Sequence, residues 1–279
     1  MAKLDHLGWV DGFAFSSYGL RIGIRANDPK AIERVYECLP PGWKPGTSPY
    51  VERLYSIILG GPSANPNVRK LNLLYFNHTR ATRSRDEQTV FDDLERDLAA
   101  FVAVAARRRL FVHAGVVAWK GKAIVMPGRT LAGKSTLVAE FVKAGATYYS
   151  DEYAVFDARG RVHPYARPLG IRENGVGDKA KRYPVAALGG ASGDKPLQVG
   201  LVLVSEYKED GKWNPRELSP GQGAMALLAN TVAARVKPEV MLPTLQQVVE
   251  HATILKSSRG EAREVVDNVL NLEPRMTGA

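Results

Sequence analysis

The spacing of apolar positions changes period several times along this 279-residue chain. In "FAFSSYGLRIGIRAN" apolar residues recur at every second position, at Leu20, Ile22 and Ile24, as in a half-buried strand. "DPKAIERVYECL" switches to helical spacing. Asp28 is the expected N-cap, Pro29 the first helical residue, and Ile32, Val35, Tyr36 and Leu39 one face. "PPGWKPGTSP" stops that helix. "VERLYSIILGG" and "KLNLLYFNH" read as strands joined by "GPSANPNVR", which has hairpin-loop composition. "SRDEQTVFDDLERDLAAFVAVAARRR" predicts a long helix with an apolar stripe at Val90, Phe91, Leu94, Leu98, Phe101, Val102 and Ala105. Its start is acidic, and Arg107, Arg108 and Arg109 are expected to complement the negative end of its dipole.

From Leu110 the texture changes to short apolar runs around one helix: "LFVHAGVVAW", the turn "KGK", "AIVMP", a glycine loop, "KSTLVAEFVKAGA", then "TYYSDEYAVFD". "LQVGLVLVSEY" reads as a buried strand. Ser219 and Pro220 open a helix over "SPGQGAMALLANTVAARV". The tail predicts a helix "EVMLPTLQQVVEH" that tolerates Pro243, a strand "ATILKSS" and a helix "EAREVVDNVLNL". This change of texture divides the chain into an α+β subdomain, 1–107, and an α/β domain, 108–279.

Composition narrows the function classes. No stretch reaches the roughly 18 apolar residues of a membrane span. The N-terminal "MAKLDHLGWVDGF" lacks the apolar core of a signal peptide, so the expected location is the cytoplasm. Cys38 is the only cysteine, which excludes an internal disulfide and a thiolate metal cluster. The net charge of +9 favours anionic partners. No basic patch interleaved with aromatics, zinc-finger spacing or helix-turn-helix signature accompanies it, which argues against nucleic acid.

The chemistry concentrates in "PGRTLAGKSTL". Gly128 to Ser135 fit the phosphate-loop pattern G-x-x-x-x-G-K-S/T, between a strand and a helix as that motif requires. The glycines let successive backbone N–H groups turn inward onto phosphate oxygens, and the helix N-terminus adds its positive end. Gly128, Arg129, Thr130, Leu131, Ala132, Gly133, Lys134, Ser135 and Thr136 are the expected nucleotide-binding residues. Lys134 would reach the β- and γ-phosphates and Ser135 would ligate Mg²⁺. Such loops serve GTPases, motors and kinases alike, so the following acids must discriminate. Asp151 and Glu152 come about one helix length after Lys134, at the start of a strand, where neighbours face opposite ways. Asp157 ends the more ordinary strand "YAVFD", but it also opens the turn "DARGR". Chemistry favours the Asp151–Glu152 pair. His113, in an apolar strand, reads by itself as a hydrogen-bonded core residue.

Over residues 110–175 the chain resembles the catalytic domain of the HPr kinase/phosphorylase family and its HPr-kinase-related members. His113 and Gly115 on a strand before the loop, the loop itself, a short helix and a strand with paired acids carry the resemblance. The architecture is similar to that of ATP-dependent phosphoenolpyruvate carboxykinase as well. It implies a P-loop-containing mixed-sheet kinase domain with ATP and Mg²⁺ as cofactors. By resemblance Asp151 is the general base, Glu152 with Ser135 holds the metal, and His113 lies near the transferred phosphate with Lys134. Arg172 and Arg167, in "YARPLGIRENG", would clamp phosphate oxygens. Position 152 is Glu where the family carries Asp, and the glycine-rich phosphorylase signature is absent. The expected partners are a nucleotide and an unidentified hydroxyl-bearing acceptor: protein, peptide or small molecule. A homo-oligomer is left open. A nucleotide-gated binding module with ATPase activity and no acceptor is the rival reading; a carboxykinase-like enzyme ranks behind both.

Overall fold

The computed structural model describes residues 7–61, 70–129, 132–172, 180–233 and 238–272, with backbone alone at 238–240. The chain divides into two compact units, Met1–Arg107 and Arg108–Ala279.

In the first unit, β1 (Asp11–Ser17) and β2 (Leu20–Ala26) form an antiparallel hairpin. The single strand expected here is therefore two. Tyr18 and Gly19 turn the chain with positive φ angles of 49° and 83°. Helix α1 (Pro29–Cys38) begins where Asp28 accepts the Lys30 N–H. Ile32, Val35 and Leu39 are buried as expected, whereas Tyr36 is half exposed and stacks on Phe13 with ring centroids 5.0 Å apart. Strands β3 (Lys44–Gly46), β4 (Arg53–Ile58), β5 (Asn72–Phe76) and β6 (Thr79–Ser84) complete a sheet of order β3-β1-β2-β4-β5-β6. Strands β4 and β5 pair antiparallel, and most of the expected loop between them lies outside the described residues.

Helix α2 (Glu87–Ala105) is capped by Asp86, whose carboxylate accepts from the Gln88 and Thr89 N–H groups. The arginine run does not complement its dipole. The helix stops at Ala105, its last turn holds no basic residue, and Arg108 has a positive φ of 61°. Arg107 instead donates to the Tyr18 carbonyl through its backbone N–H and pairs with Glu52 at 3.2 Å.

The second unit is built on a mixed sheet. Strands β7 (Leu110–Trp119), β8 (Lys122–Pro127), β9 (Thr147–Ser150), β10 (Tyr153–Phe156), β11 (Val162–His163), β14 (Val199–Tyr207), β15 (Arg216–Glu217) and β16 (Thr253–Arg259) take the order β11-β10-β7-β8-β14-β16-β15. Strand β9 also pairs with β7, and β12 (Leu169–Ile171) and β13 (Lys181–Tyr183) form a separate ribbon. Strands β8, β14 and β16 run parallel, so their C-terminal ends share one edge.

Helices cover both faces, as the near-continuous apolar character of these strands demands. One face buries Val117, Ile124, Met126 and Leu203 against α3 (Lys134–Lys143) and α6 (Ala262–Leu270). The other buries Val112, Val116, Val125 and Val202 against α4 (Pro220–Leu228) and α5 (Pro238–Val249). Helix α4 opens with the expected Ser219 cap, reinforced by Gln222 in a capping box, but ends at Leu228, earlier than its apolar pattern suggests. Pro243 lies inside α5, and no helix among the described residues is long and apolar enough to cross a membrane.

Candidate functional site

Strand β8 ends at Pro127, the glycine loop follows, and α3 begins at Lys134. The Gly128 N–H donates to the His113 carbonyl at 3.1 Å, which ties the start of the loop to β7. Its end turns at Gly133, in the left-handed conformation with φ 71°, a geometry that favours glycine. Thr130 and Leu131 lie outside the described residues. Gly115 sets how closely α3 approaches β7: a Cβ there would stand 2.6 Å from Val138 Cγ2.

Asp151 and Glu152 do not occupy opposite faces of a strand. They fill a break between β9 and β10, both of which pair antiparallel with β7. The hydroxyl of buried Ser150 accepts the N–H groups of Glu152 and Tyr153 at 3.2 and 3.0 Å, and the Glu152 carbonyl accepts the Ala114 N–H. The break is thus a hydrogen-bonded bend that releases both acids from strand alternation.

Asp151 is held from three sides. Its Oδ2 accepts the Ser135 hydroxyl at 2.8 Å and the Gly170 N–H at 3.3 Å. Its Oδ1 stands 2.9 Å from the Tyr148 hydroxyl, which is also 2.8 Å from the Arg167 carbonyl. A hydroxyl has one proton, so Tyr148 serves these two acceptors in turn. Burial, with the Asp151 charge beside it, pushes the Tyr148 hydroxyl far above its ordinary pKa, so Tyr148 stays a neutral donor.

Lys134 is half buried, and its Nζ donates to the Arg129 carbonyl at 2.7 Å. Burial pushes its pKa below the usual lysine range, while the charges of Asp151 and Glu152 pull the other way. His113 sits on β7 opposite Tyr153, with ring centroids 4.9 Å apart. Burial, and then the Lys134 charge, lower its pKa, which favours neutral imidazole. Glu152 is 44% exposed at its side chain, and Arg167 Nη1 approaches its Oε2 at 4.0 Å. Arg172 is exposed just after β12, and Arg167, from the preceding loop, is the more enclosed of the two.

Asp157 has other work. Its Oδ1 accepts the Arg159 and Arg161 N–H groups, and its Oδ2 meets the Arg161 guanidinium at 2.8 Å and His163 Nε2 at 3.0 Å. It closes the turn between β10 and β11.

One residue that sequence reasoning missed stands against the loop. Arg259, the last residue of β16, is buried, and its Nη2 donates to the carbonyls of Ala132 and Gly133 at 3.1 and 3.0 Å. Nothing in the local pattern of "ATILKSSRG" marks it out.

Among the described residues no cluster of three or more His, Cys, Asp or Glu stands ready to hold a metal. Ser135, Asp151 and Glu152 offer hard oxygen donors instead. Such a set suits Mg²⁺, which commonly takes one or two carboxylates and completes its shell with water and substrate phosphates.

No family model matches the chain, and no curated protein matches it. Among solved structures, that of the Hpr(Ser) kinase/phosphatase from Coxiella burnetii aligns with a TM-score of 0.37 and 13% identity, over 60% of this chain and 99% of that one. At that similarity the likeness is a distant one of fold, and residue roles do not transfer across it.

Proposed function

We propose that the second unit is an ATP- and Mg²⁺-dependent phosphotransferase that moves the γ-phosphoryl group to a hydroxyl of a protein, peptide or small molecule. The observation that carries this reading is the Ser135 Oγ–Asp151 Oδ2 hydrogen bond of 2.8 Å. It joins the serine of a phosphate-loop sequence to an acid in the break between β9 and β10, which supports a reading in which phosphate binding and proton acceptance occur side by side.

In this reading the loop from Gly128 to Thr136 wraps the phosphates, with the N–H groups of its last turn and the N-terminus of α3 as the donors. Lys134 exchanges the Arg129 carbonyl for phosphate oxygens. Ser135 and Glu152 would hold Mg²⁺, which would supply positive charge to the transferring phosphate. Asp151 accepts the proton of the incoming hydroxyl, held in orientation by Tyr148 and the Gly170 N–H. Neutral His113 lies beside the transferred group, and Arg167 and Arg172 supply positive charge to its oxygens. Catalysis of this kind is chiefly positioning and electrostatics. Oxygen donors and a half-buried lysine beside two acids support the cofactor assignment.

The test is transfer of label from γ-labelled ATP, with wild type and Lys134→Ala compared across a cell extract. Label that reaches an acceptor with wild type alone supports a kinase. Label released only to water favours a nucleotide-gated module with ATPase activity. No nucleotide binding at all overturns the reading.

A further inference from the structure

We propose that Arg259 is a positioning residue for the phosphate loop, aiming the loop's last N–H groups at the bound anion. This rests on the phosphate-binding role proposed above.

Topology brings Arg259 to the loop. Strands β16 and β14, and β14 and β8, pair in parallel, so the end of β16 lies at the sheet edge from which the loop leaves β8. The side chain is 3% exposed. Its Nη2 bonds the carbonyls of Ala132 and Gly133 at 3.1 and 3.0 Å, and its Nη1 bonds that of Gly260 at 3.4 Å. All its hydrogen-bond partners among the described residues are thus carbonyl oxygens, and its buried Nε has none.

In a trans peptide the C=O of one residue and the N–H of the next share a plane and point in opposite directions. A guanidinium that anchors the Ala132 and Gly133 carbonyls therefore directs the Gly133 and Lys134 N–H groups away from itself. Those two groups belong to the turn that would cradle the phosphates. The same fork explains the glycine: a Cβ on Gly133 would lie 2.5 Å from Nη2, besides straining a φ of +71°. The fixed positive charge behind the loop adds to its attraction for an anion.

The experiment measures MgATP affinity by calorimetry on the full chain, with thermal unfolding of the nucleotide-free protein in parallel. Arg259→Met keeps the apolar stem and removes every donor. Arg259→Lys keeps charge but loses the planar fork. The expected result is a Kd raised at least tenfold in Arg259→Met and about threefold to fivefold in Arg259→Lys, measured where each is folded. Should Arg259→Met fail to fold, Arg259→Lys decides alone. Either folded variant binding within twofold of wild type overturns the proposal, even where its unfolding temperature falls. Lys134→Ala separates the two claims. If it loses affinity while the Arg259 variants keep theirs, only the role of Arg259 fails. If wild type does not bind MgATP, both fail.

Discussion

Ser135 Oγ lies 2.8 Å from Asp151 Oδ2 and bridges the first turn of α3 to the break between β9 and β10. A neutral amide in place of this carboxylate keeps the shape and removes the proton acceptor. Asp151→Asn is expected to lower phosphoryl transfer by about 10²–10⁴-fold, the usual range for a general base, with MgATP affinity changed by less than about threefold. Single-turnover transfer and equilibrium binding measure the two effects separately. Glu152→Gln should instead raise the Mg²⁺ concentration needed for half-maximal transfer. If the two phenotypes come out exchanged, Asp151 is the metal ligand and Glu152 the base.

Lys134 rests on a carbonyl of its own loop, 2.7 Å away, and is held there against burial that disfavours its charge. Phosphate oxygens offer the ammonium a stronger partner than that carbonyl. Lys134→Ala should weaken MgATP binding at least tenfold and abolish detectable transfer, without loss of unfolding temperature. A titration with fluorescent ATP analogue checks the first; unchanged affinity would remove Lys134 from the phosphate site.

Gly115 allows α3 to pack on β7, and a methyl there would meet Val138 at 2.6 Å. Gly115→Ala is expected to destabilise the second unit by about 1–3 kcal/mol through overpacking. Val138→Ala in the same chain should recover part of that loss, because it removes the opposing methyls. Thermal unfolding of the two single variants and the double variant measures the coupling; strict additivity would place the strain elsewhere.

The parts of this architecture that depend on neighbouring residues were legible in the sequence. The Asp28 and Ser219 caps and the helices they open are local, and their chemistry is written at fixed spacing. Strand β6 was not legible, because "TRATRS" exposes most of its side chains and carries no apolar alternation. The arginine run misled for a related reason: charge at a helix end suggests dipole complementation, but the chain leaves helical geometry before reaching it. Asp151 and Glu152 could be chosen by chemistry, but alternation assigned them opposite faces because the bend at Ser150 leaves no periodic trace. Arg259 was out of reach altogether. It bonds a residue 126 positions away, and only the parallel order of β8, β14 and β16 brings the two together.

Asp157 gives the second unit an acid-sensitive clasp. Burial alone would push its carboxyl up, but hydrogen bonds from His163, the Arg161 backbone and side chain, and the Arg159 N–H outweigh it and hold the pKa at about 2. The ordinary value is 3.8, so the folded state binds its proton later than the unfolded chain does. The resulting stabilisation is fully present above pH 3.8 and is lost as pH falls toward 2. Its size is on the order of 2 kcal/mol. Asp157→Asn should therefore be less stable than wild type at neutral pH, and the gap should narrow between these two values. Urea unfolding of both proteins at pH 7, 4 and 3 measures it. A gap that is the same at all three would show that the stabilisation does not come from the ionised carboxylate.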